Sequence, residues 1–321
     1  MPDPDPSARL RVAVLDDYLD LAMDLAPWSS LHADVTAFRE PIRDPELLIQ
    51  TLLPFDIVCA MRERTPLPAT VLERLPNLRL LVTSGMQNAA IDIDAARAAG
   101  IVVSGTGSSA AATAELTWAL ILCAARHVPA HDRSMRDGGW QRYLGTALAG
   151  RRLGVIGLGK NGSAVATIGR AFGMDVVAWS QNLTAERAAE VGIGRVAFGE
   201  LIATSDVITI HLRLSDRTHG LIGASELGRM RPTAILVNTS RGPIVDEVAL
   251  IRALRSGSIG GAALDVYDDE PLPVDHPLRS LERVVLSPHT GYVTDENMRR
   301  FYAQTVEDIA AFLAGTPIRV L

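Results

Sequence analysis

Residues 153–173 read LGVIGLGKNGSAVATIGRAFG, and this stretch limits the possible folds more than any other in the chain. Residues 153–156 form a short apolar run that reads as a buried strand, and 163–171 continue as a helix of small residues. Between them, Gly157, Gly159 and Gly162 stand at G-x-G-x-x-G spacing. The first glycine permits a tight turn, the second lets backbone approach a pyrophosphate, and the third lets the helix pack close to the strand. N–H groups at the helix start, with the helix dipole behind them, suit an anion. Alone, the spacing also fits a plain strand-to-helix turn. With a strand before it and a helix after it, it predicts a dinucleotide site.

The rest of the chain alternates strand and helix around this unit. Apolar runs predict strands at 10–15, 35–38, 57–61, 78–83 and 101–103, with helices such as 68–75 and 93–99 between them. Buried strands alternating with helices predict a doubly wound parallel sheet. The small-residue segment 104–112 reads as an interdomain hinge leading into a helix over 113–126. A second run predicts six strands, at 153–156, 175–179, 207–210, 234–237, 262–266 and 284–287, matching a six-stranded dinucleotide domain. The last helix, 295–314, carries Met298, Phe301, Tyr302, Thr305, Ile309, Phe312 and Leu313 on one face, with Thr294 and Gly315 suited to cap its ends. That face is expected to return to the first domain. The predicted fold class is therefore α/β, with two doubly wound parallel-sheet domains. A Rossmann dinucleotide-binding domain over 105–294 is inserted in a discontinuous flavodoxin-like catalytic domain over 9–104 and 295–321, and residues 1–8 form a disordered tail.

Length and composition narrow the class. The chain has 321 residues, room for two domains, and 48% hydrophobic residues, enough to fill full cores. A formal charge of −6 without a basic cluster argues against nucleic acid as a partner. The apolar run 118–125 is too short to span a bilayer, so no membrane partner is expected. Cys59 and Cys123 lie in separate apolar runs and read as reduced core residues of a cytoplasmic protein, not a disulfide or metal pair; no metal is expected. The acidic, proline-rich start MPDPDPSAR does not read as a signal peptide.

In open α/β sheets the ligand lies beyond the carboxyl ends of the strands. Polar residues collect there in this chain. His211 follows the strand 207–210, Asn238-Thr239-Ser240-Arg241-Gly242 follows 234–237, Asp265 ends its strand with Glu270 in the loop beyond, and His289 follows 284–287 and Pro288. Hydride transfer at C2 of a 2-oxo or 2-hydroxy acid needs a fixed cation for the carboxylate and carbonyl oxygen. Arg241 fits, because a guanidinium stays charged and binds oxygen pairs through its fork. The reaction also needs a proton donor and acceptor near neutral pH, which suits His289. A carboxylate beside that imidazole favours its charged form and orients the ring, the role assigned to Glu270. Singly, each has a plain structural reading: a salt-bridge arginine, a turn glutamate, a strand-end histidine. Four consecutive strands delivering such groups to one edge favour the catalytic reading. His211 reads as structural or cofactor-contacting, and His127, His131, His219 and His276 as loop or surface residues.

These motifs resemble the D-isomer-specific 2-hydroxyacid dehydrogenases, a family that includes phosphoglycerate, glyoxylate and hydroxypyruvate reductases. The resemblance rests on GLGKNG at 157–162, NTSRGPIVDEVAL at 238–250, GAALDVYDDEPLP at 261–273 and SPHTGYVT at 287–294, and covers nearly the whole chain. It implies Arg241, Glu270 and His289 as the catalytic set. It implies pyrophosphate contacts from the backbone of Lys160 and Asn161, and nicotinamide contacts from Thr239, Arg241 and Asp265. Gly157, Gly159, Gly162, Ser180, Gln181, Asn182, His211, Leu212, Ser240, His289 and Gly291 complete the expected cofactor site for NAD or NADP. Arg62, Gly85, Met86, Gln87, Arg241 and His289 are the expected substrate contacts. The family's dimers imply a homodimer joined around 105–150.

Two departures bear on specificity. NAD-preferring members usually end the second Rossmann strand with an acidic residue, and here that position, eighteen residues after Gly162, is Ser180. Nothing there repels a 2′-phosphate, and Ser180, Asn182 and Thr184 can hydrogen-bond one, although no arginine stands immediately beside it. NADP is somewhat favoured over NAD, with relaxed NAD binding the alternative. The loop that usually binds the substrate carboxylate reads Ser84-Gly85-Met86-Gln87-Asn88-Ala89, with Gln87 for the family's second glycine and Ala89 for its aspartate. Arg62 and Arg64, after the third strand, can meet an anionic substrate tail or remain surface charges. The expected activity is hydride transfer between nicotinamide and a small 2-oxo or 2-hydroxy acid such as glyoxylate or hydroxypyruvate. The alternatives are a family member acting on formate or phosphite, and a non-catalytic dinucleotide-sensing binding protein.

Overall fold

The computed structural model describes residues 9–321; the tail expected over 1–8 lies outside the described residues. The chain forms two units, one comprising residues up to Ser109 together with Thr294–Leu321, the other Ala110–Val293.

The first unit holds strands β1 (Arg11–Val14), β2 (Asp34–Ala37), β3 (Ile57–Ala60), β4 (Leu80–Thr83) and β5 (Val102–Gly105), all parallel, in the order β2-β1-β3-β4-β5. This is the flavodoxin-like order. Strands β3 and β4, IVCA and LLVT, are buried at every position, as strands covered on both faces must be. Edge strand β2 alternates exposed and half-buried residues. The helix Pro45–Leu52 starts where Asp44 accepts from the amides of Glu46 and Leu47, with Pro45 at its first position.

The last helix, Asp295–Leu313, belongs to this unit and lies against β4 and β5. Thr294 caps its start, and Gly315 turns the chain away at φ +76°. Met298, Phe301, Tyr302, Thr305 and Ile309 are buried, with Tyr302 edge-on to Trp28 and its hydroxyl donating to Asp17 at 3.1 Å. Leu313, assigned to the buried face by periodicity, is instead 40% exposed, and Asp308 is fully buried. The reason is the returning chain: Arg319 donates to Asp308 at 2.9 Å, and Leu321 and Gly105 hydrogen-bond across to Val103 and Arg319. The carboxylate is thereby paired within the face that packs.

The second unit contains β6 (Arg152–Ile156), β7 (Asp175–Trp179), β8 (Gly194–Arg195), β9 (Val207–Ile210), β10 (Ile235–Asn238), β11 (Gly261–Leu264) and β12 (Val284–Leu286). Their order is β12-β11-β10-β9-β6-β7-β8, all parallel. It is a Rossmann sheet with seven strands where the sequence predicts six. The additional one, β8, is two exposed residues at the edge, too short and too polar to leave a periodic signal. The order reverses between β6 and β9, so the ligand crevice is expected beyond their carboxyl ends.

The helix expected at 113–126 starts earlier and spans Ala110–Arg126. The proposed hinge is correspondingly shorter, because residues 104 and 105 still belong to β5 and alanines 110–112, good helix formers, join the helix. This helix packs on the helix Lys160–Ala171, where Trp118 donates to the Val165 carbonyl at 3.1 Å and stacks on Phe172 at 4.7 Å.

Candidate active site

The glycine-rich turn follows β6. Gly157 has φ +96°, and a Cβ there would lie 2.5 Å from the His211 carbonyl oxygen. A Cβ on Gly162 would lie 2.0 Å from the Gly157 carbonyl oxygen, so any larger residue forces helix and turn apart. A Cβ on Gly159 would meet nothing within 4 Å. Glycine is thus required by the fold at the first and third positions, and at the second it leaves space open. The helix Lys160–Ala171 begins beside that space with no side-chain cap. Its first amides, including those of Lys160 and Asn161, carry the partial positive charge of the helix start. An open approach over uncapped amides fits a pyrophosphate.

The β9 loop walls this turn. The His211 amide donates to Ile156 at 2.7 Å, and its Nε2 lies 2.9 Å from Thr209 Oγ1. Burial pushes the His211 pKa down to about 4, so the ring is neutral at physiological pH. Leu212 packs over Gly157. Ser180, Gln181 and Asn182 follow the end of β7, and Arg217 reaches back to them, donating to Gln181 Oε1 at 3.4 Å. The arginine that sequence inspection does not find beside Ser180 arrives from 36 residues away.

Beyond β10 the loop folds on itself. Asn238 accepts from the Ser240 amide at 3.0 Å and donates to the Arg241 carbonyl at 2.9 Å, while Ser240 Oγ donates to Ile210 at 2.8 Å. Thr239 and Thr117 share a hydroxyl hydrogen bond at 2.9 Å. Arg241 donates to the Ser240 carbonyl at 2.6 Å. A Cβ on Gly242 would lie 2.1 Å from the Tyr267 carbonyl carbon. Only glycine lets the Arg241 loop rest on the backbone that leads to Glu270.

The β11 and β12 loops hold the histidine. Glu270 accepts from the Tyr267 amide at 2.9 Å through one oxygen, and its other oxygen lies 2.5 Å from His289 Nδ1. The two side chains remain 26% and 15% exposed, reachable from outside. With Nδ1 engaged, Nε2 is the nitrogen left to exchange a proton. His289 stands at φ +53°, a conformation that disfavours an L side chain. It is braced from behind by Asp265, whose oxygens accept from the amides of Thr290 and Gly291, each at 2.8 Å. Strand β11 stops at Leu264, one residue before Asp265, and Asp265 itself is buried. Burial pushes the Asp265 carboxyl up, and hydrogen bonds from Ser287, Thr290 and Gly291 oppose the shift. Tyr267 ties the two loops together by donating to the carbonyls of Leu264 and Ser287, at 3.1 and 2.9 Å.

The remaining candidates lie in the first unit. Arg62, at φ +54°, donates its amide to Ser84 Oγ at 2.9 Å and extends its guanidinium over Gly85. Gly85, at φ +94°, donates its own amide to Thr106 Oγ1 at 2.9 Å, so that N–H is already engaged. Asn88 secures the loop through Thr83 Oγ1 at 2.9 Å, and Met86 is exposed. No sequence pattern marks Thr106, Thr117, Tyr267 or Arg217 as functional. They act through contacts between loops, which no periodicity reports.

Comparison with known proteins decides the family. The model of the D-isomer specific 2-hydroxyacid dehydrogenase NAD-binding domain matches residues 118–291. The chain belongs to this family. The dehydrogenase is 44% identical over 255 residues to a glyoxylate reductase of Aeropyrum pernix, covering 76% of each chain. It is 39% identical over 313 residues to a D-3-phosphoglycerate dehydrogenase of Archaeoglobus fulgidus, covering 97% of this chain and 58% of that one. Among solved structures, a phosphoglycerate oxidoreductase from Vibrio cholerae superposes with a TM-score of 0.90 at 36% identity, covering 95% and 99% of the two chains. The dehydrogenase is a nicotinamide-dependent oxidoreductase with two parallel-sheet α/β domains.

Proposed function

We propose that the chain interconverts a small 2-oxo acid and its D-2-hydroxy acid, with glyoxylate or hydroxypyruvate as the substrate type. The observation that carries this reading is the His289–Glu270 pair at 2.5 Å, on the same sheet edge as the glycine-rich turn and Arg241. When bound, the nicotinamide supplies or accepts the hydride. Gly157, Gly159, Lys160, Asn161 and Gly162 hold the pyrophosphate. His289 Nε2 gives a proton to the substrate carbonyl oxygen in reduction and takes it back in oxidation. Glu270 keeps Nδ1 as the bonded nitrogen, which sets the tautomer and ring orientation. Arg241 holds the substrate carboxylate through its planar fork. Arg62 and the amides of Met86 and Gln87 supply further substrate contacts, with Gly85 shaping the loop through its positive φ.

With Ser180 where a carboxylate would repel a 2′-phosphate, NADP is somewhat favoured over NAD. Val128, Met135, Trp140, Tyr143 and Leu144 are exposed apolar residues within 105–150, Trp140 at 69% and Leu144 at 94%. They support a homodimer joined there. Two free cysteines suit a cytoplasmic setting.

The test is a screen of 2-oxo acids with NADH and NADPH, followed by the absorbance of the reduced nicotinamide. Glyoxylate and hydroxypyruvate are expected to be turned over, and His289→Gln to lower kcat by about 10²–10⁴-fold with cofactor affinity retained. Activity confined to formate or phosphite, or tight cofactor binding without any turnover, rejects the proposal.

A further inference from the structure

We infer that Arg217 is the residue that recognises the 2′-phosphate of the cofactor's adenosine ribose, and so sets the preference for NADP(H). The inference rests on the NADP reading above and deepens it by naming the cation.

In a Rossmann domain the adenosine ribose meets the loop that follows the second strand, where an acidic residue binds the 2′-hydroxyl or a nearby arginine accommodates a 2′-phosphate. Here that loop, residues 180–184, reads SQNLT and carries neither charge. The charge comes from the other side of the glycine-rich turn. Strands β9 and β7 flank β6, and the β9 loop first closes on Gly157 through His211 and Leu212. Arg217, six residues after His211, then crosses to the β7 loop and donates Nη1 to Gln181 Oε1 at 3.4 Å. It is thereby brought beside the residue next to Ser180.

Its base is held. Thr218 Oγ1 accepts from the Ser215 amide at 2.8 Å and donates to the Arg213 carbonyl at 2.7 Å, and the amides of Thr218 and His219 both donate to the Ser215 carbonyl at 2.9 Å. This closed turn presents the Arg217 side chain from a fixed backbone. Among the described residues no carboxylate lies within 4 Å of its guanidinium, in contrast to Arg187, which pairs with Glu190 at 2.5 Å. The partner of Arg217 in this loop is the neutral side-chain amide of Gln181, which neutralises no charge and leaves most of the five donors to a ligand. A phosphate dianion accepts such donors in pairs. Ser180 and Asn182 add uncharged hydrogen bonds to the same group.

The adenosine half of the cofactor can be tested apart from catalysis. Equilibrium binding of adenosine 2′,5′-bisphosphate and of ADP is measured calorimetrically for the full chain, Arg217→Ala and Arg217→Lys. The native chain is expected to bind the bisphosphate more tightly than ADP. Arg217→Ala should weaken the bisphosphate by about 10–100-fold, the loss of a charge-assisted contact, and change ADP by less than about twofold. Arg217→Lys should recover part of the loss, because the charge remains without the fork. A native preference for the bisphosphate that survives Arg217→Ala overturns the role of Arg217 and leaves the NADP reading standing. A native chain that binds ADP as tightly as the bisphosphate overturns the NADP reading itself. Equal weakening of both ligands by Arg217→Ala assigns the residue to loop structure and also overturns the inference.

Discussion

Replacing Asp265 with asparagine probes what keeps His289 in place. The buried carboxylate forks onto two consecutive amides, Thr290 and Gly291, each at 2.8 Å. Asparagine keeps one acceptor and turns an NH₂ group towards the other amide. One hydrogen bond to a charged group is lost, about 1.5–3 kcal/mol, and a buried N–H is left facing another donor, about 1–3 kcal/mol. Burial already penalises the Asp265 carboxylate, so removing its charge offsets part of this. The net destabilisation of the unit Ala110–Val293 is expected to be about 2–4 kcal/mol. At about 2–4 °C per kcal/mol for a unit of this size, its melting temperature falls by roughly 5–15 °C. Turnover should fall further than folding requires. The fork follows His289 directly in sequence and holds it at φ +53°, a conformation costing about 1–2 kcal/mol for a residue with a Cβ. Once the fork is loosened, the backbone relaxes and the 2.5 Å contact with Glu270 is lost. A displacement of that kind costs roughly 10²-fold in kcat. Calorimetry and steady-state turnover on one preparation measure both effects. A variant that melts within about 1 °C of the native chain and keeps its kcat refutes the argument, because the loop must then be held by something else.

The two outer glycines of the turn and the middle one should separate cleanly. Gly159→Ala should leave the melting temperature unchanged, since its Cβ meets nothing within 4 Å, yet weaken dinucleotide binding by about tenfold or more; Gly162→Ala, with its Cβ 2.0 Å from a carbonyl oxygen, should destabilise the fold itself by about 3 kcal/mol or more. Arg241→Lys should raise the substrate KM about tenfold despite keeping the charge, because the fork is lost; an unchanged KM removes Arg241 from carboxylate binding. His211, pushed down to about 4 by burial, refuses a proton that the unfolded chain accepts near pH 6.5. Its contribution to stability is present above that pH and is lost as the pH falls towards 4, up to about 3 kcal/mol, so thermal unfolding should show a shallower acid decline for His211→Asn. Asp308, pushed up to about 6 chiefly by burial, acts in the opposite sense: ionisation costs the folded chain more than the unfolded one, so acidification from pH 6 towards 4 restores stability. Asp308→Asn should abolish that gain in the first unit.

The parts of the fold legible in the sequence are those where burial is uniform along the chain. Strands such as IVCA and LLVT are covered on both faces and appear as unbroken apolar runs. The seventh strand of the second sheet, Gly194–Arg195, is exposed and two residues long, so it offers no pattern to read. The last helix shows the limit of periodicity from the other direction. Its face can be drawn from Phe301, Tyr302 and Ile309, but the same face buries Asp308, because Arg319 arrives to pair with it. A carboxylate in a packed face is legible only once its partner's position is known.

The candidate site divides in the same way. Arg241, Glu270 and His289 stand out in the sequence because their chemistry is unusual at strand ends. The groups that hold them look ordinary, since their work is done between loops whose strands are far apart in the chain. Gly242 is one residue of a turn until its contact with Tyr267 is seen to seat the Arg241 loop on the path to Glu270. Gly85 reads as an amide donor for a carboxylate until Thr106 is seen to take that N–H. Residues 180–184 carry no charge of their own, and Arg217 reaches Gln181 from the loop after β9. Each case turns on parallel topology, which carries successive strands to one edge and brings their loops within hydrogen-bonding reach whatever their separation in sequence. Reactive side chains are therefore recognised by residue type, whereas their placement and selectivity depend on partners recognised only by register. Substitutions at Asp265 and Arg217 consequently test the fold's contribution to the proposed function more sharply than substitutions at His289, which probe the proposed proton-transfer group alone.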